Sequence, residues 1–197
     1  MRVLFVGDVI GKPGRQAVQR LLPGLVDRHR VDYTIVNVEN AAGGFGVTPE
    51  VLQEFAELPI QCFTTGNHVW DKKEGVEMLD RRSDLLRPHN YPEGNVGHGV
   101  HVGETASGLK VATINLEGQV FMKNVDSPFR VADRILAELP RSVKTVIVDF
   151  HAEATSEKQA LAFHLAGRVS AVFGTHTHVP TADERVLSGG TALVTDV

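Results

Sequence analysis

The sequence predicts an α/β fold built around a mixed sheet, on two observations. Short apolar runs rich in β-branched residues alternate with helical stretches along almost the whole chain, the pattern of parallel strands joined by helical crossovers. One pair of runs near the middle is separated only by a Gly/Ser turn, which adds antiparallel strands and makes the pairing mixed.

Residues 2–6 read as the first strand and 14–29 as a helix disturbed at Pro23. Residues 33–38 (YTIVNV) form the second strand. Thr48 then caps a helix that has Pro49 at its first position and runs to about Leu58. Residues 60–65 are the third strand, and Asp71 with Glu74 reads as a capping box for a short helix ending near Leu79. Residues 81–97, rich in turn formers, read as loop, and 100–102 with 109–114 as the hairpin. Ser127-Pro128 opens a helix reaching about Leu139, and 143–148 is a strand. Ser156 with Gln159 reads as a second capping box, for a helix ending near Gly167; 169–173 and 192–194 are the last strands.

Composition narrows the function. Hydrophobic residues make up 42% and charged residues 22% of the 197, ordinary values for a chain that buries one core as a single domain over residues 1–197. No apolar run approaches the roughly 18–20 residues that span a bilayer, so no membrane partner is expected. The N-terminus meets Asp8 too early for a signal-peptide core. The one cysteine, Cys62, has no partner in the chain and reads as a free buried thiol, which makes a reducing cytoplasm the expected setting. A net charge of −4 argues against a surface that wraps nucleic acid. No stable nucleic-acid binding is therefore expected, while an enzyme acting on a small nucleotide stays open.

The chemistry lies just past the strands. The first leads to Gly7-Asp8, the second to Glu39-Asn40, the third to Gly66-Asn67-His68, the run 143–148 through Asp149-Phe150 to His151, and 169–173 to Gly174-Thr175-His176-Thr177-His178. Each piece alone is weak, since an Asp after a strand is often only a cap and Gly-Asn often only a turn. Five strand ends carrying such residues converge on one pocket in an open α/β sheet. Carboxylate, carboxamide and imidazole without thiolate disfavour a structural zinc site, and several imidazoles disfavour an all-oxygen magnesium or calcium site. Mixed N/O ligation suits manganese, iron, zinc, cobalt or nickel. About seven candidate ligands exceed the needs of one ion and fit two that share a bridging carboxylate.

Asp8, Gly66-Asn67-His68, His151 and Gly174-Thr175-His176-Thr177-His178 resemble the motifs of the calcineurin-like metallophosphoesterases. The sequence departs from that pattern twice: Asp8-Val9-Ile10 lacks the usual histidine, and Glu39-Asn40 stands where an aspartate would bridge the metals. Both departures are those of the YmdB-like bacterial phosphodiesterases. The stretches Gly7-Asp8-Val9-Ile10-Gly11-Lys12-Pro13-Gly14-Arg15, Glu39-Asn40-Ala41-Ala42-Gly43-Gly44-Phe45-Gly46 and Thr65-Gly66-Asn67-His68-Val69-Trp70 resemble that subgroup closely. So does Thr175-His176-Thr177-His178-Val179-Pro180-Thr181-Ala182-Asp183-Glu184.

The resemblance implies a four-layer αββα sandwich with two mixed β-sheets, in a family whose members run past residue 197. It implies one metal held by Asp8, Glu39, Asn40 and His178, and a second held by Glu39, Asn67, His151 and His176. Glu39 would bridge, and His68 would face the substrate as the catalytic residue. The cofactors would be two divalent or trivalent ions, iron or manganese foremost, with zinc, cobalt, nickel or magnesium as alternatives. The substrate would be a small phosphodiester such as a 2′,3′- or 3′,5′-cyclic nucleotide, attacked by a metal-bridging hydroxide. Two other classes share these residues: a phosphomonoesterase or phosphoprotein phosphatase, and a nucleotide-binding regulator with slow turnover.

Around these residues several roles stay open. The glycine-rich stretch 41–46 lacks the Gly-Lys-Ser/Thr of a P-loop; it is either a connection or a backbone that approaches the substrate phosphate. Arg87, Asn90 and Tyr91 lie in the middle loop, where contact with a substrate is open but nothing in the sequence selects them, Phe45 and Trp70 offer rings for a base or for packing, and the other histidines read as structural or exposed. A homo-oligomer is allowed, although no coiled-coil signal is present.

Overall fold

The structure, a computed structural model, describes residues 1–197. Three strands, β1 (Val3–Val6), β2 (Tyr33–Asn37) and β3 (Cys62–Thr64), form a small sheet in that order. Six more form a larger sheet: β4 (Val100–Glu104), β5 (Lys110–Glu117), β6 (Thr145–His151), β7 (Ala171–Thr175), β8 (Arg185–Val186) and β9 (Ala192–Val194), ordered β4-β5-β6-β7-β9-β8. The helices are α1 (Gly11–His29), α2 (Pro49–Gln53), α3 (Lys73–Leu79), α4 (Pro128–Glu138) and α5 (Thr155–His164). No helix is long and apolar enough to cross a membrane.

Three apolar clusters stack these elements into the αββα sandwich. Val18, Leu22, Val51, Leu52 and Leu79 pack α1, α2 and α3 on Val36 and Phe63 of the small sheet. Val131, Ile135 and Leu161 pack α4 and α5 on Ile114, Val148, Phe150 and Val172 of the large one. Between the sheets lie Tyr33, Ile35, Cys62, Val111, Ile147 and Ala171, with Phe5 stacked on Phe173 at 4.7 Å. The small sheet is parallel throughout, whereas the resemblance implied two mixed sheets; only α-helical or long connections join β1, β2 and β3. Antiparallel pairing is confined to β4–β5 and β8–β9.

Strand alternation explains where the site forms. Side chains two apart share a face, so Val111, Thr113, Asn115 and Glu117 of β5, Ile147, Asp149 and His151 of β6, and Ile35 and Asn37 of β2 point between the sheets. Along each strand that inner face changes from apolar to polar toward the carboxyl end. All of these polar side chains are buried.

Several boundaries differ from expectation. α1 begins at Gly11 and runs unbroken through Pro23, and α2 ends at Gln53 rather than near Leu58. Thr48 caps it as expected, accepting from Val51 N. Neither capping box forms. The residue before α3 is Lys72 with no side-chain cap, because Asp71 turns to His68. Helix α5 starts at Thr155 after Ala154, which places Ser156 inside it. β6 runs to His151, so that residue ends the strand rather than following it. β8 was not foreseen; Cys62 is buried and free as expected.

Candidate metal centre

The strand tips of both sheets meet in one cluster. His151 Nε2 is its centre, 3.0 Å from Asn67 Oδ1, 3.1 Å from His176 Nδ1 and 3.2 Å from Glu39 Oε1. Ligand atoms of Glu39, His151 and His176 lie within 4.8 Å of one another, as do those of Asp8, Glu39 and His178. The two groups share Glu39. Asn40 joins the second, with Oδ1 3.2 Å from His178 Nε2.

Each donor is aimed by its neighbours. Asn37 Oδ1 accepts from Glu39 N at the end of β2. Asn40 Nδ2 donates to Gly44 O, which turns Oδ1 toward His178; the glycine-rich stretch thus positions a side chain, a role that neither alternative for it included. Asp8 Oδ2 accepts from His176 N, and Glu39 Oε2 from His68 N. Gly66 is required by close approach, since a Cβ there would sit 2.2 Å from the His151 ring.

The Thr175 hydroxyl sets the His151 tautomer. It donates to Asp149 Oδ1 at 2.8 Å, so its contact with His151 Nδ1 at 2.9 Å is one in which it accepts. The ring's proton is then on Nδ1 in the neutral form, and Nε2 presents a lone pair to the cluster. A similar support lies under the loop after β7. Asp196 Oδ2 accepts from Lys158 Nζ and from both N and Oγ1 of Thr177, the residue between His176 and His178. Those two histidines have φ of 108° and 58°, a left-handed backbone that L-residues adopt only when their surroundings hold it.

The donor set fits cations. Asp8 Oδ1 is buried without a hydrogen-bond partner and Glu39 Oε1 faces only the His151 ring, at 3.2 Å, an arrangement whose cost a positive charge removes. Burial disfavours the charged form of His151, yet Glu39, Asp8 and Asp149 outweigh it and push its pKa up to about 9. Burial would raise Glu39, but His151 and the His68 amide hold it below the ordinary carboxylate range. His176 is pushed down by burial and by His151. In the cation-free chain a proton on His151 therefore neutralises part of the acidic cluster, and a cation held there would displace it.

His68 stands apart from these donors. Its Nδ1 contacts Asp71 Oδ2 at 2.7 Å, and its ring meets Phe45 edge-on at 5.1 Å. Arg87 and Asn90 do not reach the cluster. Arg87 donates to the carbonyls of Pro88, Asn95 and Val96, and Asn90 binds Glu117 and Asp126. Trp70 packs against Tyr91. Sequence reasoning passed over Asp149, Thr175, Lys158 and Asp196 as supports. Asp149 carried a signal, two residues before His151 on the same strand face; the buried Lys158–Asp196 pair carried none.

This sandwich, with acids, amides and imidazoles gathered between its strand tips, defines the metallophosphoesterase class of phosphoric ester hydrolases, for which divalent metal ions are the implied cofactors. A profile of the YmdB-like protein family matches residues 4–197, and the chain belongs to that family. It is 47% identical over 197 residues to the 2′,3′-cyclic-nucleotide 2′-phosphodiesterase of Bacillus subtilis, covering all of this chain and 74% of that one. Among solved structures, a hypothetical protein from Thermus thermophilus superimposes with a TM-score of 0.94 at 45% identity, covering 100% of this chain and 76% of the other. A phosphatase from Mycoplasma pneumoniae superimposes with a TM-score of 0.91 at 36% identity, covering 99% and 70%.

Proposed function

We propose that this chain is a two-metal phosphodiesterase that opens cyclic nucleotides, 2′,3′-cyclic ones foremost, and that residues 1–197 act as one domain. The observation that carries the reading is the sharing of Glu39 between two donor groups. Asp8, Glu39, Asn40 and His178 would hold one ion, and Glu39, Asn67, His151 and His176 the other, with iron or manganese suited to the mixed N/O set. The name of the Bacillus subtilis relative supports the substrate class.

Bound ions supply positive charge for the phosphate oxygens and acidify a water. The protein's own residues supply geometry and a proton. Thr175 and Asp149 keep His151 Nε2 free to ligate, and Asp196 holds Thr177 so that the flanking imidazoles face the cluster. As the water oxygen bonds to phosphorus and gives up a proton to solvent, the bond from phosphorus to the ribose oxygen breaks. That oxygen would take its proton from Nε2–H of His68 in its imidazolium form, whose Nδ1–H donates to Asp71.

The test is hydrolysis of 2′,3′-cyclic AMP by metal-stripped protein reloaded with Mn²⁺. Asp8→Ala is expected to lose both metal and turnover. His68→Ala is expected to lose ~10²–10⁴-fold in turnover with metal retained. Equal metal loss in both variants would sink the separate role of His68, and no turnover with any metal would sink the diesterase reading. The Mycoplasma pneumoniae phosphatase keeps a monoesterase as the second reading, decided by comparing p-nitrophenyl phosphate with bis-p-nitrophenyl phosphate.

A further inference from the structure

Between β5 and α4 the chain makes a loop, residues 118–127, whose tip stands at the edge of the metal cluster. Phe121 is at that tip, 89% exposed, more than any other large apolar side chain of the protein. A single exposed hydrophobe is ordinary, but three features set this one apart. Its backbone is left-handed, with φ of 63°, a conformation that needs support. The loop supplies that support. Gln119 N and Val120 N donate to the buried Glu157 carboxylate, Gln119 Nε2 closes the loop onto Val125 O, and Met122 Sδ accepts from Glu153 N. Finally, Phe121, Met122 and Lys123 line a cavity of about 250 Å³ with Asn67 and His176.

That cavity is smaller than the ~300–1,000 Å³ of pockets that enclose a whole drug-sized ligand, so it suits one part of a ligand. Its wall includes two of the residues assigned to the metals, and Lys123 Nζ reaches Asn67 O at 3.4 Å. A second opening borders the cluster at Asp8 but is lined by Ile10, Lys12, Pro13 and glycines, with no aromatic side chain, whereas this one carries Phe121. The other exposed ring beside the cluster, Phe45, is already packed edge-on to His68. Phe121 leaves more of its ring open to solvent than Phe45, which is 55% exposed.

We propose that Phe121 is a specificity-determining residue, held out by the 118–127 loop to stack on the nucleobase of the substrate. The proposal rests on the diesterase reading above and adds the group that recognises the base. Stacking of one base on an aromatic side chain corresponds to roughly a 10-fold preference or more.

The experiment compares two five-membered cyclic diesters, 2′,3′-cyclic AMP and the base-free glycerol 1,2-cyclic phosphate, in the metal-loaded protein. Phe121→Ala is expected to lower the ratio of their kcat/KM values about 10-fold, mainly through KM for the nucleotide, and Phe121→Trp to restore it. A second arm measures binding of adenosine 3′-monophosphate against inorganic phosphate by calorimetry; Phe121→Ala is expected to weaken the nucleotide far more than the phosphate. An unchanged ratio, or equal losses on both diesters, overturns the proposal. If the unaltered chain turns over neither diester, the diesterase reading fails, and the binding arm decides the role of Phe121 by itself.

Discussion

The two sheets contribute different chemistry to one cluster. The small sheet brings oxygen: Asp8, Glu39, Asn40 and Asn67 follow β1, β2 and β3 and lean on nearby backbone groups such as Gly44 O and His68 N. The large sheet brings nitrogen: His151, His176 and His178, the last two on a left-handed backbone that buried charge holds in place. The oxygen half is aimed mainly by backbone groups, Gly44 O, His68 N and His176 N, whereas the nitrogen half rests on buried polar and charged side chains, Thr175, Asp149, Lys158 and Asp196. The difference teaches that equal proximity to a site does not mean equal support.

The largest expected effect tests whether the halves share one residue. Glu39→Ala should reduce bound metal from about two ions per chain to nearly none, while His178→Ala should leave about one; metal-to-protein ratios by mass spectrometry decide it, and equal losses would break the bridging role. Next comes the buried pair beneath the nitrogen half. Lys158→Met strands the Asp196 carboxylate, itself 2% exposed, and should cost about 3–5 kcal/mol in urea unfolding. Adding Asp196→Asn should recover part of that loss; no recovery would assign the damage to packing.

Charge exchange between the halves is read by pH. In chelated protein the His151 pKa is raised to about 9 by the small-sheet carboxylates and Asp149, against ~6.5 when unfolded. The folded state therefore holds the extra proton, and this stabilisation is complete below about pH 6.5 and lost as pH rises through about 9. Thermal unfolding of chelated protein should show Tm falling over that window, and Glu39→Gln should flatten the slope; an unchanged slope would mean Glu39 is not the partner. The smallest effect concerns aim. Thr175→Val removes the hydroxyl that fixes the His151 tautomer and should weaken metal affinity ~10–100-fold, seen by competition with a chelator, with a loss of about 1–3 kcal/mol in unfolding because Asp149 and His151 each lose a buried partner.

The donors of both halves were legible in the sequence, His176-Thr177-His178 most plainly, while the side chains that support them were not. Glycines, acids and amides just past apolar runs mark strand tips, and alternation places them together. The fold class was legible for the same reason. What failed were inferences from local rules where tertiary contacts prevailed. Asp71 has the spacing of a capping residue but contacts His68 instead. Pro23 would interrupt an isolated helix, yet α1 packs Val18 and Leu22 into the core and runs through it. Lys158 looks like one more helix-surface lysine; only the fold shows that its position points inward, onto Asp196. Phe121 was silent because exposure and backbone hand are not sequence properties.

The 112 residues between Asn37 and its hydrogen-bond partner Asp149 also set a timetable during synthesis. At ~5–20 residues per second, the first third of the chain waits on the order of ten seconds before His151 is made. The ligating groups of that third are all oxygens, which suit hard ions such as magnesium and calcium. The imidazoles come later and bring the preference for transition metals. On the two-metal reading, the preference for a transition ion would therefore arise only once β6 and β7 have docked on the small sheet.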